Sequence, residues 1–494
     1  MFTRPNKDKT MGTRSATPER SQDVIAKKVE APPARSVRGN DEHYNDALTI
    51  NEKPYNEKLA KLLLYHERGK LSKSIGLTFE GYLPGASVGS MVRLTPANAQ
   101  EIHQGVEAEI IGFKEKRVVL MPLEDARGMS NTSRIVLLKS EASIPVGKFL
   151  LGRVIDGRCE PLDRNGSLVE GLKSVDYRGI YGVSINPLER SCITDPLDLG
   201  IRSINGLLTC GKGQRMGIFS GSGVGKSVLL GMMARHTKAD VNVIALIGER
   251  GREVNEFLEK DLGAEGLKRS VVVVATSEKS PLLRMRAAFI AATIAEYFCD
   301  QGLDVLFLMD SVTRFAMAQR EIGLSLGEPP ASKGYTPSVF STLPKLLERA
   351  GTRADKGSIT GLYTVLVEGD DLDEPIADAC RSILDGHIVL TRQLANQNHY
   401  PAVDVAASIS RVMSSVVHTK HLEVANQIKE LMALYVAHED LINIGAYVKG
   451  SNPKLDQALS VIDRIRTFLR QGIKEKASFD ESVTQLEGIL RAVS

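Results

Sequence analysis

The sequence predicts a small antiparallel β-barrel, then an α/β domain with a mostly parallel sheet, then a helical C-terminal domain. Three observations carry this. Short alternating runs broken by Gly, Pro and Asn fill residues 71–146. Apolar strand-length runs alternate with helical stretches across 147–416. Apolar stripes at helical spacing occupy 417–494.

At 494 residues the chain is too long for one compact domain. With 42% hydrophobic and 25% charged residues, most of it is expected to fold as an ordinary soluble protein. A formal net charge of +3 is too small to argue for nucleic acid or an acidic membrane. There is no Trp and only 5% aromatic residues, so no base-stacking platform is indicated and no nucleic-acid partner is expected. Cys159, Cys192, Cys210, Cys299 and Cys380 are scattered without metal-ligand spacing, which reads as reduced structural thiols. No apolar run approaches the ~20 residues that span a bilayer. The opening Met1-Phe2-Thr3-Arg4-Pro5 lacks a secretory signal's apolar core. A cytoplasmic location is therefore expected.

Residues 1–45 are polar and rich in Ser, Thr, Pro, Lys and Arg, and are expected to be disordered. Residues 46–70 read as an amphipathic helix, with Pro54 in its first turn and Gly69 as its stop. Its face of Tyr55, Leu59, Leu62 and Leu63 either packs on the chain or docks a partner. Barrel strands are expected at Ile75–Tyr82, Ser90–Leu94, Ala108–Phe113 and Arg117–Pro122. Sheet strands are expected at Arg215–Phe219, Val241–Ile247, Ser270–Ala275, Asp304–Met309, Gly361–Val367 and His387–Leu390, with a helix at Leu282–Cys299. The C-terminal stripes are Val424, Ile428, Leu431 and Tyr435; Leu455, Leu459, Ile462 and Leu469; and Phe479, Val483, Leu486 and Leu490.

The run from Arg215 to Phe219 leads into Ser220-Gly221-Ser222-Gly223-Val224-Gly225-Lys226-Ser227, and a helical run starts at Val228. Strand, glycine loop and helix are the setting of a Walker A phosphate loop. Glycines let successive backbone N–H groups curl around phosphate oxygens, and the helix N-terminus faces the same anion. In this reading Lys226 bridges the β- and γ-phosphates of ATP and the Ser227 hydroxyl ligates Mg²⁺. The formal pattern has Gly where this chain has Ser220, at the start of the loop rather than its tight centre. The apolar run Asp304–Met309 ends in Asp310, the Walker B pattern for a carboxylate that holds Mg²⁺ directly or through water. Glu249 follows the Val241–Ile247 run at the carboxyl end of its strand, where α/β sheets collect ligands. From the residues alone it is equally a carboxylate that polarises attacking water or a surface partner of a neighbouring arginine.

These strand ends together resemble the catalytic nucleotide domain of the rotary ATPase family. The likeness runs through Gly152-Arg153-Val154-Ile155-Asp156, Gly248-Glu249-Arg250 and Asp310-Ser311-Val312-Thr313-Arg314-Phe315. It continues through Tyr400-Pro401-Ala402-Val403-Asp404 and Ser408-Ile409-Ser410-Arg411. The runs Gly327–Tyr335, Pro337–Phe340, Leu384–Leu390 and Ile442–Tyr447 are similar to the flagellar type III export ATPases, which share most of these motifs with the injectisome ATPases of virulence secretion. The resemblance implies a RecA-like P-loop core and a hydrolase. It makes Glu249 the catalytic glutamate, Tyr400 the tyrosine stacked on adenine and Arg411 an arginine finger for a neighbouring subunit's γ-phosphate. Arg250 and Arg314 align with secondary arginines of the pocket, for which ion pairing is an equal explanation. Without the resemblance Tyr400 would read as a core tyrosine. The resemblance further implies a homohexamer at the inner face of the plasma membrane. Its partners would be a helical regulator on the N-terminal helix, a coiled-coil central stalk, the membrane export gate, and export chaperones with their cargo. Two other readings are a catalytic subunit of a rotary ATP synthase and a hexameric nucleic-acid motor. The large insertion before the P-loop that marks the vacuolar type is not seen.

Overall fold

The computed structural model describes residues 68–97, 104–182, 186–367, 369 and 371–491. The expected tail (1–45) and most of the expected helix (46–70) lie outside the described residues. Gly69 does not stop a helix. It lies inside the first barrel strand, β1 (Arg68–Ile75), where a Cβ would run into the Tyr82 carbonyl of the paired strand. The close approach of two strands, not a helix end, calls for glycine there.

β1 is followed by β2 (Thr78–Tyr82), β3 (Met91–Thr95), β4 (Val106–Lys114), β5 (Arg117–Pro122) and β6 (Arg134–Lys139). They close into an antiparallel barrel in the order β1-β2-β5-β4-β3-β6. The expected strand Ile75–Tyr82 is split, because Gly76 and Leu77 form the two-residue turn between β1 and β2. The interior is filled by Leu71, Leu94, Ile110, Val118, Leu120 and Ile135 among others. Two more short strands, β7 (Ser143–Val146) and β9 (Asp176–Gly179), pair outside the barrel. β8 (Val154–Asp156) joins the edge of the central sheet.

That sheet contains β10 (Arg215–Ser220), β11 (Val241–Ile247), β12 (Ser270–Ala275), β13 (Val305–Asp310), β14 (Gly351–Thr352), β15 (Ser358–Leu366), β16 (Gly386–Leu390) and β17 (Val403–Ser410). The order is β17-β16-β10-β15-β13-β11-β12-β8, with β14 on β15; only β14 and β17 are antiparallel. Strands buried on both faces read as continuous apolar runs, as Val241–Ile247 does. On β11, Val243 and Ala245 face one core with the helix Pro281–Asp300, and Ile244 and Leu246 face the other.

The second core decides the shape of the site. It joins Leu229 and Met233 of the helix Lys226–His236 to Ile428, Leu431, Leu455, Ile462 and Leu486 of the C-terminal helices Thr419–Asn443, Pro453–Leu469 and Phe479–Arg491. The first two expected stripes face inward, with Val424 and Leu459 at their margins. The third is rotated: Ser482, Leu486 and Ile489 are the buried positions of the last helix. The five cysteines are free, and Cys192 alone of them is exposed. Burial pushes the Cys159, Cys210 and Cys380 thiols up to about 12, so these three are inert packing groups. No described helix is long and apolar enough to cross a membrane.

Candidate active site

Ser220 ends β10 level with Leu390 of β16 and Leu366 of β15, at the carboxyl edge of the sheet. Its departure from glycine is harmless because the residue is still strand. The tight part of the loop comes later. Gly223 has φ 78° and Gly225 φ 89°, left-handed values that an ordinary residue resists. The helix Lys226–His236 then begins at once, so its free N–H groups face the loop. Gly221 and Val224 are buried, Ser222 and Ser227 are exposed, and Val228 is half-buried.

Three strand ends meet this loop. The Lys226 ammonium lies 2.5 Å from Asp310 Oδ1 at the end of β13, with side chains only 12% and 7% exposed. Thr364 Oγ1 of β15 donates to the same oxygen at 2.7 Å. Glu249 stands two residues beyond β11, its Oε1 3.2 Å from Arg314 Nε without the alignment of a hydrogen bond. Burial raises the Glu249 pKa to about 7, helped by repulsion from Asp310; Lys226 and Arg314 pull the other way. Glu253 accepts a hydrogen bond from the Glu249 carboxyl, which holds Glu253 below the usual carboxylate range. A carboxylate poised near neutrality suits a base for water. Arg314 thus joins the site through Glu249, whereas Arg250 is exposed and 4.0 Å from Glu253.

Beside the loop lies a cavity of about 590 Å³. Gly223, Gly225, Val228, Leu229 and Met232 form one wall. Tyr400 stands opposite with its ring carbons 3.4–3.5 Å from where a Gly225 Cβ would be, and it is 42% exposed rather than a core residue. Asn398, Pro401 and the segment Arg470-Gln471-Gly472-Ile473 complete it. Sequence reasoning missed Asn398 and 470–473. Nothing in their local pattern marks them, since they reach the loop only because the C-terminal helices share its core. Gln471 fixes them: its N–H donates to Tyr400 O at 2.9 Å, its Nε2 to Gly200 O at 2.8 Å, and its Oε1 accepts from Arg202 N at 2.8 Å.

Arg411 is not gathered into this site. β17 runs against β16, pairing Ser410 with Gly386 at the amino edge of the sheet. Gly386 is four residues before Leu390, so Arg411 lies at least about 13 Å along the sheet from its own phosphate loop. It is exposed, and its guanidinium touches only Arg381 O, at 3.4 Å, among the described residues.

The arrangement can hold a phosphate chain on the loop, place a flat base between Tyr400 and the helix Lys226–His236, and present Glu249 and Asp310 at the far end of that chain. Ser227 and Asp310 offer oxygen donors only, the set a small hard cation takes.

Residues 200–410 match the ATP synthase alpha/beta family, nucleotide-binding domain, and residues 417–488 match the T3SS EscN ATPase C-terminal domain. The chain is 51% identical over 451 residues to a flagellum-specific ATP synthase of Pseudomonas aeruginosa, covering 91% of this chain and 96% of the relative. It is 52% identical over 426 residues to the protein of that description in Bacillus subtilis, covering 86% and 95%. A solved structure of the assembled ATPase EscN with its central stalk EscO, from the enteropathogenic E. coli type III secretion system, superposes with a TM-score of 0.78. That chain is 46% identical, and the match covers 85% of this chain and all of EscN.

Proposed function

This chain belongs to the type III export branch of the ATP synthase alpha/beta family, and we propose that it is an ATPase that hydrolyses ATP to ready flagellar proteins for export. The observation that carries hydrolysis is the meeting of two strand-end carboxylates, Asp310 and Glu249, with Lys226 of the loop.

ATP binds with its phosphates on the Gly221–Ser227 loop and Lys226, and its base against Tyr400. Mg²⁺ would be held by the Ser227 hydroxyl and Asp310, and would supply charge neutralisation at the phosphates. Glu249 orients water and takes its proton. Arg411 serves the γ-phosphate of the neighbouring protomer, a reading supported by its place at the sheet edge opposite its own loop. Each protomer of a homohexamer then gives a site to one neighbour and a finger to the other.

The stalk in the EscN complex supports a coiled-coil partner in the ring centre. A helical regulator on the N-terminal segment, the membrane export gate and chaperone-bound cargo complete the proposed partners, with the ring in the cytoplasm at the inner membrane face. The likeness to EscN favours virulence secretion as a second reading; flagellar or needle-complex genes beside this one would separate the two.

The test is complementation. Lys226→Ala abolishes hydrolysis in its own site and keeps Arg411; Arg411→Ala does the reverse. Mixing the two inactive variants at equal amounts should restore about a quarter of the sites, those pairing an intact loop with an intact finger. No recovery in rings shown to be mixed would mean that Arg411 does not act on a neighbour.

A further inference from the structure

We infer that Thr364 is a positioning residue for the metal carboxylate, a role that rests on the reading of Asp310 given above. Thr364 is the seventh of the nine residues of β15, the strand between the phosphate-loop strand β10 and β13. It is fully buried. Its hydroxyl has one hydrogen and two acceptors within reach: Asp310 Oδ1 at 2.7 Å and Met309 O at 3.3 Å. The shorter bond is to the carboxylate, and a bond to an ionised acceptor is the stronger kind.

Asp310 Oδ1 therefore has two donors, the Thr364 hydroxyl and the Lys226 ammonium. Oδ2 receives no donor among the described residues, which leaves it for a cation or its water. The two donors differ in commitment. Lys226 carries three N–H groups on a flexible stem and must also serve phosphate oxygens. Thr364 is β-branched, buried in a central strand and restricted about χ1, and its hydroxyl's one alternative acceptor, Met309 O, lies at the longer 3.3 Å. Thr364 thus sets the rotation of the carboxylate independently of where Lys226 points. Groups that orient a metal ligand from behind typically change metal affinity by 10–100-fold when removed.

Only the hydroxyl is needed for this role, so Thr364→Val, which keeps the shape, is the informative change. The probe is Mn²⁺, titrated by its electron paramagnetic resonance signal into the full-length protein saturated with ADP. The Mn²⁺ Kd should rise about 10-fold in Thr364→Val and return to within about 2-fold of wild type in Thr364→Ser, which restores the hydroxyl. Affinity for ADP without divalent cation should stay within about 2-fold in both, because the loop itself is untouched. An unchanged Mn²⁺ Kd in Thr364→Val overturns the proposal. An equal loss of cation-free ADP affinity also overturns it, since it would make Thr364 a packing residue. Asp310→Asn, measured alongside, separates this from the metal assignment: if it leaves Mn²⁺ binding intact, the reading of Asp310 fails first.

Discussion

At the phosphate end of the site, each functional group hangs from the carboxyl end of a parallel strand or from the loop that follows one: Lys226 after β10, Glu249 after β11, Asp310 on β13. At the base end the wall comes from the start of β17 and from a C-terminal segment more than 240 residues beyond the loop. The first half is held by sheet hydrogen bonds and buried charge, the second by packing and by one glutamine. Under the proposed function the phosphate end would fix the chemistry, and the base end would be shaped by the position of the C-terminal helices.

Changing Glu249 tests the chemical half and should have the largest effect. Glu249→Gln keeps size and burial but cannot accept a proton, so kcat should fall on the order of 10³-fold with ATP affinity nearly unchanged. The pH dependence gives a second measure. In its proposed role as base Glu249 works ionised, and its pKa is raised to about 7, so wild-type kcat/KM should climb as pH rises through 7. Stability runs the other way. A carboxyl whose folded pKa is raised contributes stability that is complete below its unfolded value near 4.5 and is lost as pH rises through about 7. Glu249→Gln should remove that decline. A wild-type kcat/KM flat from pH 6 to 8 would deny Glu249 the role of base.

The same division explains what the sequence reveals. Gly223 and Gly225 are needed for backbone angles, so the loop leaves a mark on the sequence wherever it occurs. Asp310 and Glu249 are marked by the apolar strands that precede them. The parallel strands were legible because burial on both faces makes them apolar throughout; β17, with its exposed Ala406, Ala407 and Ile409, was legible only as a motif. Gly69 was misread because close approach between strands and a helix stop both favour glycine. Arg470 to Ile473 left no mark, since their position depends on contacts made by other helices. Tyr400 was found through resemblance alone; a single tyrosine has no pattern.

Tyr400→Ala tests the base half directly. Loss of a stacking face costs about 1–3 kcal/mol, so KM for ATP should rise about 10-fold while kcat changes little, and Tyr400→Phe should keep near wild-type values. A fall in kcat as large as that of Glu249→Gln would show that the two ends do not act separately.

The smallest effect, and the most specific to this architecture, is expected at Gln471. Its side chain touches no part of the phosphate loop, but it joins Arg202, Gly200 and Glu475 behind the cavity wall while its backbone N–H holds Tyr400 O. Gln471→Leu leaves the buried Arg202 N–H without its acceptor and takes one of two donors from Gly200 O, which keeps Ala477 N–H at 3.4 Å, and should lower stability by about 2 kcal/mol. The wall should loosen without losing its backbone bond to Tyr400, so KM for ATP should rise only about 3-fold, with kcat and the pH 7 limb of Glu249 unmoved. An altered limb would mean that the C-terminal segment reaches the chemistry through the loop, and the base end would then be a control element rather than a wall.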